Sequence, residues 1–385
     1  MLEDWQHGGF GLYVHWPFCQ AKCPYCDFNS HVVKAVDQKK WLDAFISEID
    51  RNADITRDKV LHSIFFGGGT PSLMDPDIVE GVIAKARSVW RTTNAPEITL
   101  EANPTSVEAG RFKAYSDAGV NRISMGVQAL NDDDLRRLGR LHSAKEAMAA
   151  FETARRYFDR VSFDLIYARQ GQTRDAWEQE LQLALDLAVD HLSLYQLTIE
   201  EGTAFGDRYA AGKLRDLPSE DLAADLFDMT QEICAAAGYP AYEVSNHAVP
   251  GAESAHNKVY WKYGDYLGIG PGAHGRVTVS GQRFTTETAR HPDAWLERVQ
   301  RYGNGETSRH MLSTEDQATE FLLMGLRLSE GVDLSRHPSL MTEVFLDKIN
   351  DLESLRYVRR NGNQLSVTPT GRPVLNAILR ELLAG

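Results

Sequence analysis

Leu12-Tyr13-Val14-His15-Trp16-Pro17-Phe18-Cys19-Gln20-Ala21-Lys22-Cys23-Pro24-Tyr25-Cys26 is the stretch on which the reading of this chain turns. Its first five residues form a β-like run, and the run ends in a loop that carries three of the chain's four cysteines. Five more β-like runs follow. They are Ser63-Ile64-Phe65-Phe66, stopped by Gly67-Gly68-Gly69, then Glu97-Ile98-Thr99-Leu100-Glu101, residues 121–128, residues 161–166 and residues 191–196. Helix-like segments of about 10–18 residues separate them, which is the pattern of β/α units around a parallel sheet. Tyr13, the cysteines, the glycine run, Glu101, Gln128 and Asp164 all fall toward the C-terminal end of their runs. In a β/α barrel that end is where sites are built. Six units are too few for a closed eight-stranded barrel, and a run near residues 239–244 reads as a possible seventh.

Composition bounds the answer. The chain has 385 residues, 43% hydrophobic and 25% charged, which excludes wholesale disorder. Its formal charge of −13 argues against a general nucleic-acid binder. No apolar run is long enough to span a membrane. The start, Met1-Leu2-Glu3-Asp4-Trp5-Gln6-His7, lacks the pattern of a signal peptide, so the expected compartment is the cytoplasm.

Cys19, Cys23 and Cys26 are odd in number and sit in a chain read as cytoplasmic, which disfavours disulfides. Two metal readings stay open. One is a zinc site completed by His31 or His15. The other is an iron–sulfur cubane on three thiolates, which leaves one iron free to chelate the amino and carboxylate groups of a methionine-derived cofactor. Cys234, in an apolar helical context, reads as a packed small hydrophobe.

The C-x3-C-x2-C spacing, with Tyr25 before the last cysteine, resembles the radical S-adenosylmethionine (SAM) superfamily. Further motifs narrow the resemblance to its HemN/HemW group. They are Tyr13-Val14-His15-Trp16-Pro17-Phe18-Cys19, Gly67-Gly68-Gly69-Thr70-Pro71-Ser72, Glu101-Ala102-Asn103-Pro104, Ser124-Met125-Gly126-Val127-Gln128, Asp164-Leu165-Ile166-Tyr167, His256-Asn257-Lys258-Val259-Tyr260-Trp261 and Gly268-Ile269-Gly270-Pro271-Gly272-Ala273. The group contains an oxygen-independent coproporphyrinogen III oxidase and a heme chaperone. The resemblance implies an α/β fold, a partial (β/α)6 TIM-like barrel, with Cys19, Cys23 and Cys26 as ligands of a 4Fe-4S cluster. It implies that Tyr13, Gly68, Gly69, Thr70, Glu101, Gln128, Arg140 and Asp164 line the SAM site. Arg140 would meet the methionine carboxylate as a bidentate fork, and Tyr25 would stack near the adenine.

Within the group the oxidase branch carries a further cysteine where this chain has Phe28, and a longer N-terminal extension. A His-Asn-Arg-x-Tyr-Trp type motif belongs to the chaperone branch, and His256–Trp261 matches it except at Lys258. The resemblance therefore implies heme as cargo, His256 as a candidate axial ligand, and an acceptor hemoprotein. It leaves open a membrane-bound respiratory acceptor, peripheral membrane contact and a homodimer. Two departures stand out. Lys258 replaces an arginine, and Ala168-Arg169-Gln170 replaces Gly-Leu-Pro, losing a rigid turn and adding a charge.

The domain expectation is a barrel over residues 1–250, a connecting segment over 251–314 and a C-terminal unit over 315–385. That last unit reads as helix, helix, hairpin at Asn361-Gly362, helix: an α+β winged-helix-like pattern.

Overall fold

The computed structural model describes residues 3–33 and 35–384; Met1 and Leu2 of the amino-terminal stretch read above lie outside the described residues. Strand β1 (Phe10–Trp16) opens the fold. Two short strands, β2 (Phe18–Cys19) and β3 (His31–Val32), then pair in parallel across the cysteine loop. Next come β4 (Val60–Gly68), β5 (Arg91–Ala102), β6 (Arg122–Gln128), β7 (Arg160–Tyr167) and β8 (His191–Gln196). β1, β4, β5, β6, β7 and β8 are neighbours in chain order and all parallel. Right-handed crossovers between strands laid down in one direction keep every connecting helix on the same face, which leaves the other face to line an interior.

Side-chain alternation shows how the sequence chose those faces. Leu12, Val14 and Trp16, Ile64 and Phe66, Ile98 and Leu100, Ile123 and Met125, Val161 and Phe163, and Leu192 and Leu194 all join one apolar core with the helices. The residues between them are of another kind: Tyr13, Ser63, Thr99, Glu101, Arg122, Ser124, Ser162, Asp164 and Ser193. Because the strand period is two, each strand presents an apolar face to the helices and a polar face to the interior. The α/β class and the six-unit partial barrel are therefore what the chain forms.

The sheet continues beyond these six strands. The seventh run expected near residues 239–244 is irregular. The strand there is β9 (Asn246–Ala248), which runs antiparallel to β8. On the opposite edge, β10 (Asp265–Ile269) pairs in parallel with β1, and β11 (His274–Val279), β12 (Gln282–Thr288) and β13 (Glu306–Met311) follow antiparallel. Residues 251–314 are thus not a mere connector: they supply four strands to the eleven-stranded sheet. The helix Pro292–Tyr302 is tied in by Trp295, which stacks on Trp41 at 5.2 Å, while Trp41 packs edge-on to Trp16 at 5.6 Å. Buried aromatics at this density contribute about 3–5 kcal/mol each against truncation. Sequence periodicity missed this because β10, β11 and β12 follow one another antiparallel without the intervening helices that marked the barrel's β/α repeats.

The C-terminal unit has its own core, built on Phe321, Leu322, Phe345, Ile349, Leu365 and Ile378. Its helices Thr314–Gly325, Glu343–Ser354 and Leu375–Leu383 surround a small sheet of β14 (Val332–Asp333), β15 (Val358–Asn361) and β16 (Gln364–Val367). The hairpin at Asn361-Gly362 forms where expected, and β14 is an addition. Arg336 pairs with Asp4 at 2.8 Å and Arg276 with Glu320 at 2.8 Å, fastening this unit to the barrel.

Candidate functional site

The cysteine loop is held over the sheet by the glycine run. Gly69 N–H donates to the Trp16 carbonyl at 2.7 Å, and Thr70 N–H to the Phe18 carbonyl at 2.9 Å. A Cβ on Gly69 would stand 2.8 Å from the Phe18 carbonyl oxygen. Gly68 adopts φ +114, and a Cβ there would stand 2.6 Å from the His15 ring, so side chains are excluded at both positions. The glycines bring two backbones together here, and Gly68 N–H turns to donate to Glu101 Oε2 at 3.2 Å.

All three loop thiols are free and half-buried. The Thr70 hydroxyl donates to Cys19 Sγ at 3.5 Å, and Arg140 Nη1 donates to Cys23 Sγ at 3.3 Å. Burial pushes the Cys19 and Cys26 thiols up. Among the described residues no three His, Cys, Asp or Glu side chains converge on a single metal ion. A zinc site needs four donors at about 2.0–2.3 Å from one centre, whereas a polynuclear cluster takes each thiolate to a different iron. Both histidines considered as a zinc ligand are engaged elsewhere. The Tyr13 hydroxyl donates to His15 Nδ1 at 2.9 Å, while His15 Nε2 reaches the Asn29 carbonyl at 3.0 Å. His31 Nε2 lies 3.2 Å from Asn29 Oδ1.

The polar face beneath the loop carries the other expected residues. Glu101, Gln128 and Asp164 line one cavity of about 910 Å³ together with Tyr25, Cys26 and Phe28. Burial, reinforced by the charge of Asp164, raises the Glu101 carboxyl to about 8. Burial also raises Asp164 to about 6, against the pull of the Ser193 hydroxyl and of Arg122. Two carboxylates that burial makes costly to ionise form a site for a cation or for hydroxyl donors. Gln128 is held at φ 74, a left-handed conformation unusual for a residue with a Cβ.

Three buried atoms have no protein partner: Asp164 Oδ1 and Gln128 Oε1 of the cavity residues, and Nε of Arg140, which lines a separate recess with Cys23, Thr70 and Asn103. Native structures rarely leave such atoms without a partner, and their chemistry specifies what is missing. Two acceptors suit a ribose diol and an ammonium, and a guanidinium N–H suits a carboxylate. That set fits SAM, and the three thiolates fit the cluster that would hold its amino acid end.

The structure redistributes some expected roles. Arg140 is not a free fork: it also donates to the Gly126 carbonyl at 2.8 Å and to Asn103 Oδ1, which leaves Nε as the donor to spare. Tyr13 lies on the interior face but does not line the cavity, and its hydroxyl is committed to His15. His256 is not brought to the cavity. Its Nδ1 lies 2.8 Å from Ser63 Oγ, its Nε2 lies 2.9 Å from the Tyr260 hydroxyl, and Phe65 stacks on its ring at 4.8 Å. Burial holds His256 down at about 3, so in this structure it is a neutral imidazole with both ring nitrogens hydrogen-bonded.

Three further residues belong to the site. Asn103 Nδ2 donates to Thr70 Oγ1 at 3.1 Å and links the glycine run to Arg140. Arg122 lies under the carboxylates, donating to Ser162 Oγ at 2.9 Å. Both fall on the polar phase of the strand alternation, two residues beyond Glu101 and two before Ser124, a signal that could have found them. The third is Arg169. It does not disturb its loop: its Nη1 donates to the Ile166 carbonyl at 2.6 Å, and it pairs with Asp134 at 2.8 Å and with Glu180. It also reaches the Gln128 carbonyl at 3.4 Å, while Ala168 takes the left-handed φ of 56 that suits a glycine. Cys234 is buried, its thiol pushed up to about 12, as a packed hydrophobe should be.

Comparison with known proteins agrees with this geometry. The radical SAM superfamily profile matches residues 13–184, and the HemN C-terminal domain profile matches residues 312–374. The bovine protein Radical S-adenosyl methionine domain-containing protein 1, mitochondrial, is 37% identical over 97% of this chain and 87% of its own length. The Escherichia coli heme chaperone HemW is 36% identical over 97% of this chain and 98% of its own length. The structure of Escherichia coli coproporphyrinogen III oxidase, HemN, superposes with a TM-score of 0.80, covering 98% of this chain and 92% of that one at 23% identity, which speaks to fold alone. The chain belongs to the radical SAM superfamily and, within it, to the HemN/HemW group, and membership brings a 4Fe-4S cluster and SAM as cofactors.

Proposed function

We propose that this chain is a heme chaperone, a protein that binds heme and delivers it to acceptor hemoproteins. The observation that carries this reading is end-to-end similarity to a protein named for that activity, at 36% identity over 97% of the chain. Phe28 supports it, standing where the oxidase branch carries an additional cysteine. Cys19, Cys23 and Cys26 would hold the cluster, and Glu101, Gln128, Asp164 and Arg140 Nε would hold SAM. The cluster supplies reductive cleavage of a C–S bond where the group uses it for catalysis. The protein's own contribution is to fix the loop through Gly69 and Thr70.

We also propose that the chain works in the cytoplasm, where acceptors at a membrane surface would meet it peripherally. No helix among the described residues is long and apolar enough to cross a membrane. A homodimer is compatible with this role.

The test uses anaerobically reconstituted protein. It is titrated with heme, then mixed with an apo-hemoprotein, and separately given coproporphyrinogen III with SAM and a reductant. Retention and transfer of heme, without protoporphyrinogen, is the expected result. Protoporphyrinogen formation would make the chain an oxidase instead.

A further inference from the structure

A single amide stands behind two of the three loop thiols. Asn103 follows directly on the end of β5, and its side chain is bonded at both ends. Its Nδ2 donates to Thr70 Oγ1 at 3.1 Å, and its Oδ1 accepts from Arg140 Nη2. The two partners make opposite demands, and an amide meets both: the hydroxyl oxygen accepts, whereas a guanidinium only donates. With its oxygen already accepting from Asn103, Thr70 directs its one proton to Cys19 Sγ at 3.5 Å. With Nη2 engaged on Asn103, Arg140 places Nη1 on Cys23 Sγ at 3.3 Å. Cys23, Thr70, Asn103 and Arg140 line one recess.

The amide is itself held in place. Asn103 N–H donates to Glu108 Oε2 at 2.8 Å, and the Ser72 hydroxyl donates to the same oxygen. Glu108 is buried, and the Thr105 hydroxyl donates to its Oε1 at 3.4 Å. The two segments that carry the network, residues 67–72 and 101–104, therefore share one carboxylate, which fixes the spacing between Thr70 and Asn103. On the far side of Ser72, the Tyr115 hydroxyl donates to the Ser72 carbonyl at 2.7 Å.

Reduction adds negative charge to an iron–sulfur cluster, and hydrogen bonds to its sulfurs are one of the terms that set its potential. A donor aimed at a ligand sulfur stabilises the reduced state more than the oxidised one. The guanidinium contact is charge-assisted, so the Cys23 arm outweighs the hydroxyl arm at Cys19 or at least equals it.

We propose that Asn103 is a positioning residue for the cluster: it aims the Thr70 hydroxyl and the Arg140 guanidinium at the Cys19 and Cys23 sulfurs and so raises the cluster's reduction potential. This rests on the assignment of Cys19, Cys23 and Cys26 as cluster ligands. Asn103 acts through its two partners and touches neither sulfur. No bond forms or breaks; one electron enters from an external reductant, and the two donors stabilise the charge it brings.

The experiment is an anaerobic redox titration of the reconstituted full chain with dithionite and mediator dyes, without SAM. The reduced cluster is followed by electron paramagnetic resonance. The midpoint is a property of each cluster present, so a variant that merely loads less iron does not move it. Thr70→Val removes one hydroxyl at nearly constant shape and should make reduction about threefold harder, whereas Thr70→Ser should stay within about twofold of wild type. Asn103→Ala releases both donors and should make reduction about tenfold harder, a midpoint ~60 mV lower for a one-electron couple. In the Thr70→Val background the same substitution should cost only about threefold, because one of its two arms is already gone. A midpoint in Asn103→Ala equal to that of wild type, or its full loss persisting beside Thr70→Val, would overturn the proposal. Where Asn103→Ala takes up no cluster, Thr70→Val against Thr70→Ser decides, and equal midpoints in those two would overturn it as well. A wild-type chain that assembles no iron–sulfur cluster would refute the ligand assignment instead, a separate result.

Discussion

Replacing Glu101 by glutamine removes the most perturbed carboxyl of the site while keeping an oxygen to accept from Gly68 N–H. In the folded chain Glu101 sits at about 8 against an ordinary 4.5. Between those values the folded protein retains a proton that the unfolded chain gives up, so stability falls as pH rises through this window and levels off above it. At ~1.4 kcal/mol per tenfold change in proton affinity the ceiling is roughly 5 kcal/mol. Water in the cavity screens the group, so about half, ~2–3 kcal/mol, is the working figure. For a chain of this length that corresponds to roughly 2.5–4 °C in thermal midpoint. Apo E101Q should therefore match wild type near pH 5 and unfold a few degrees higher near pH 8. Asp164 is coupled to Glu101 through its charge, so the difference between the two proteins reports the pair and not Glu101 alone. SAM, which brings positive charge to the carboxylates, should raise the wild-type midpoint more at pH 8 than at pH 6, and E101Q should lose that contrast. The assay is thermal unfolding at one fixed scan rate across pH 5–9, with and without SAM. Parallel curves for the two apo proteins would refute the assignment of a buried, reluctant charge to Glu101.

Two other outcomes follow from the packing. Arg169→Met strips the countercharge from buried Glu180 and should cost about 3–5 kcal/mol in stability. It should also weaken SAM in equilibrium binding by freeing the Gln128 carbonyl, whereas Arg169→Lys should recover part of both losses. Gly69→Ala drives a methyl to 2.8 Å from the Phe18 carbonyl, so it should cost about 1–3 kcal/mol and lower the iron retained per chain after anaerobic reconstitution. Wild-type iron content in that variant would show that the glycine is not what seats the cysteine loop.

Read by itself, the chain announced its barrel and half of its site, because both are written in short-range order. Period-two alternation, helical spacing and punctuation by Gly67-Gly68-Gly69 are local, and Cys19, Cys23 and Cys26 lie within eight residues. The strands therefore fell where expected, and Glu101, Gln128 and Asp164 met at one cavity. What tertiary structure decided were matters of partnership. His256 and Arg140 carry ligand chemistry in their side chains, but burial of one and prior hydrogen bonds of the other set what remains available. Arg169 reads as an intrusive charge until Asp134 and Glu180 close around it. The strands of residues 265–311 join the sheet through long-range pairing with β1, and Arg327 and Arg372 reach the cavity only because a separately cored unit docks over the barrel mouth. Spacing along the chain fixes which residues share a strand face or a loop, but hydrogen bonds and buried charges are settled by whatever folding brings alongside, and no local pattern encodes that.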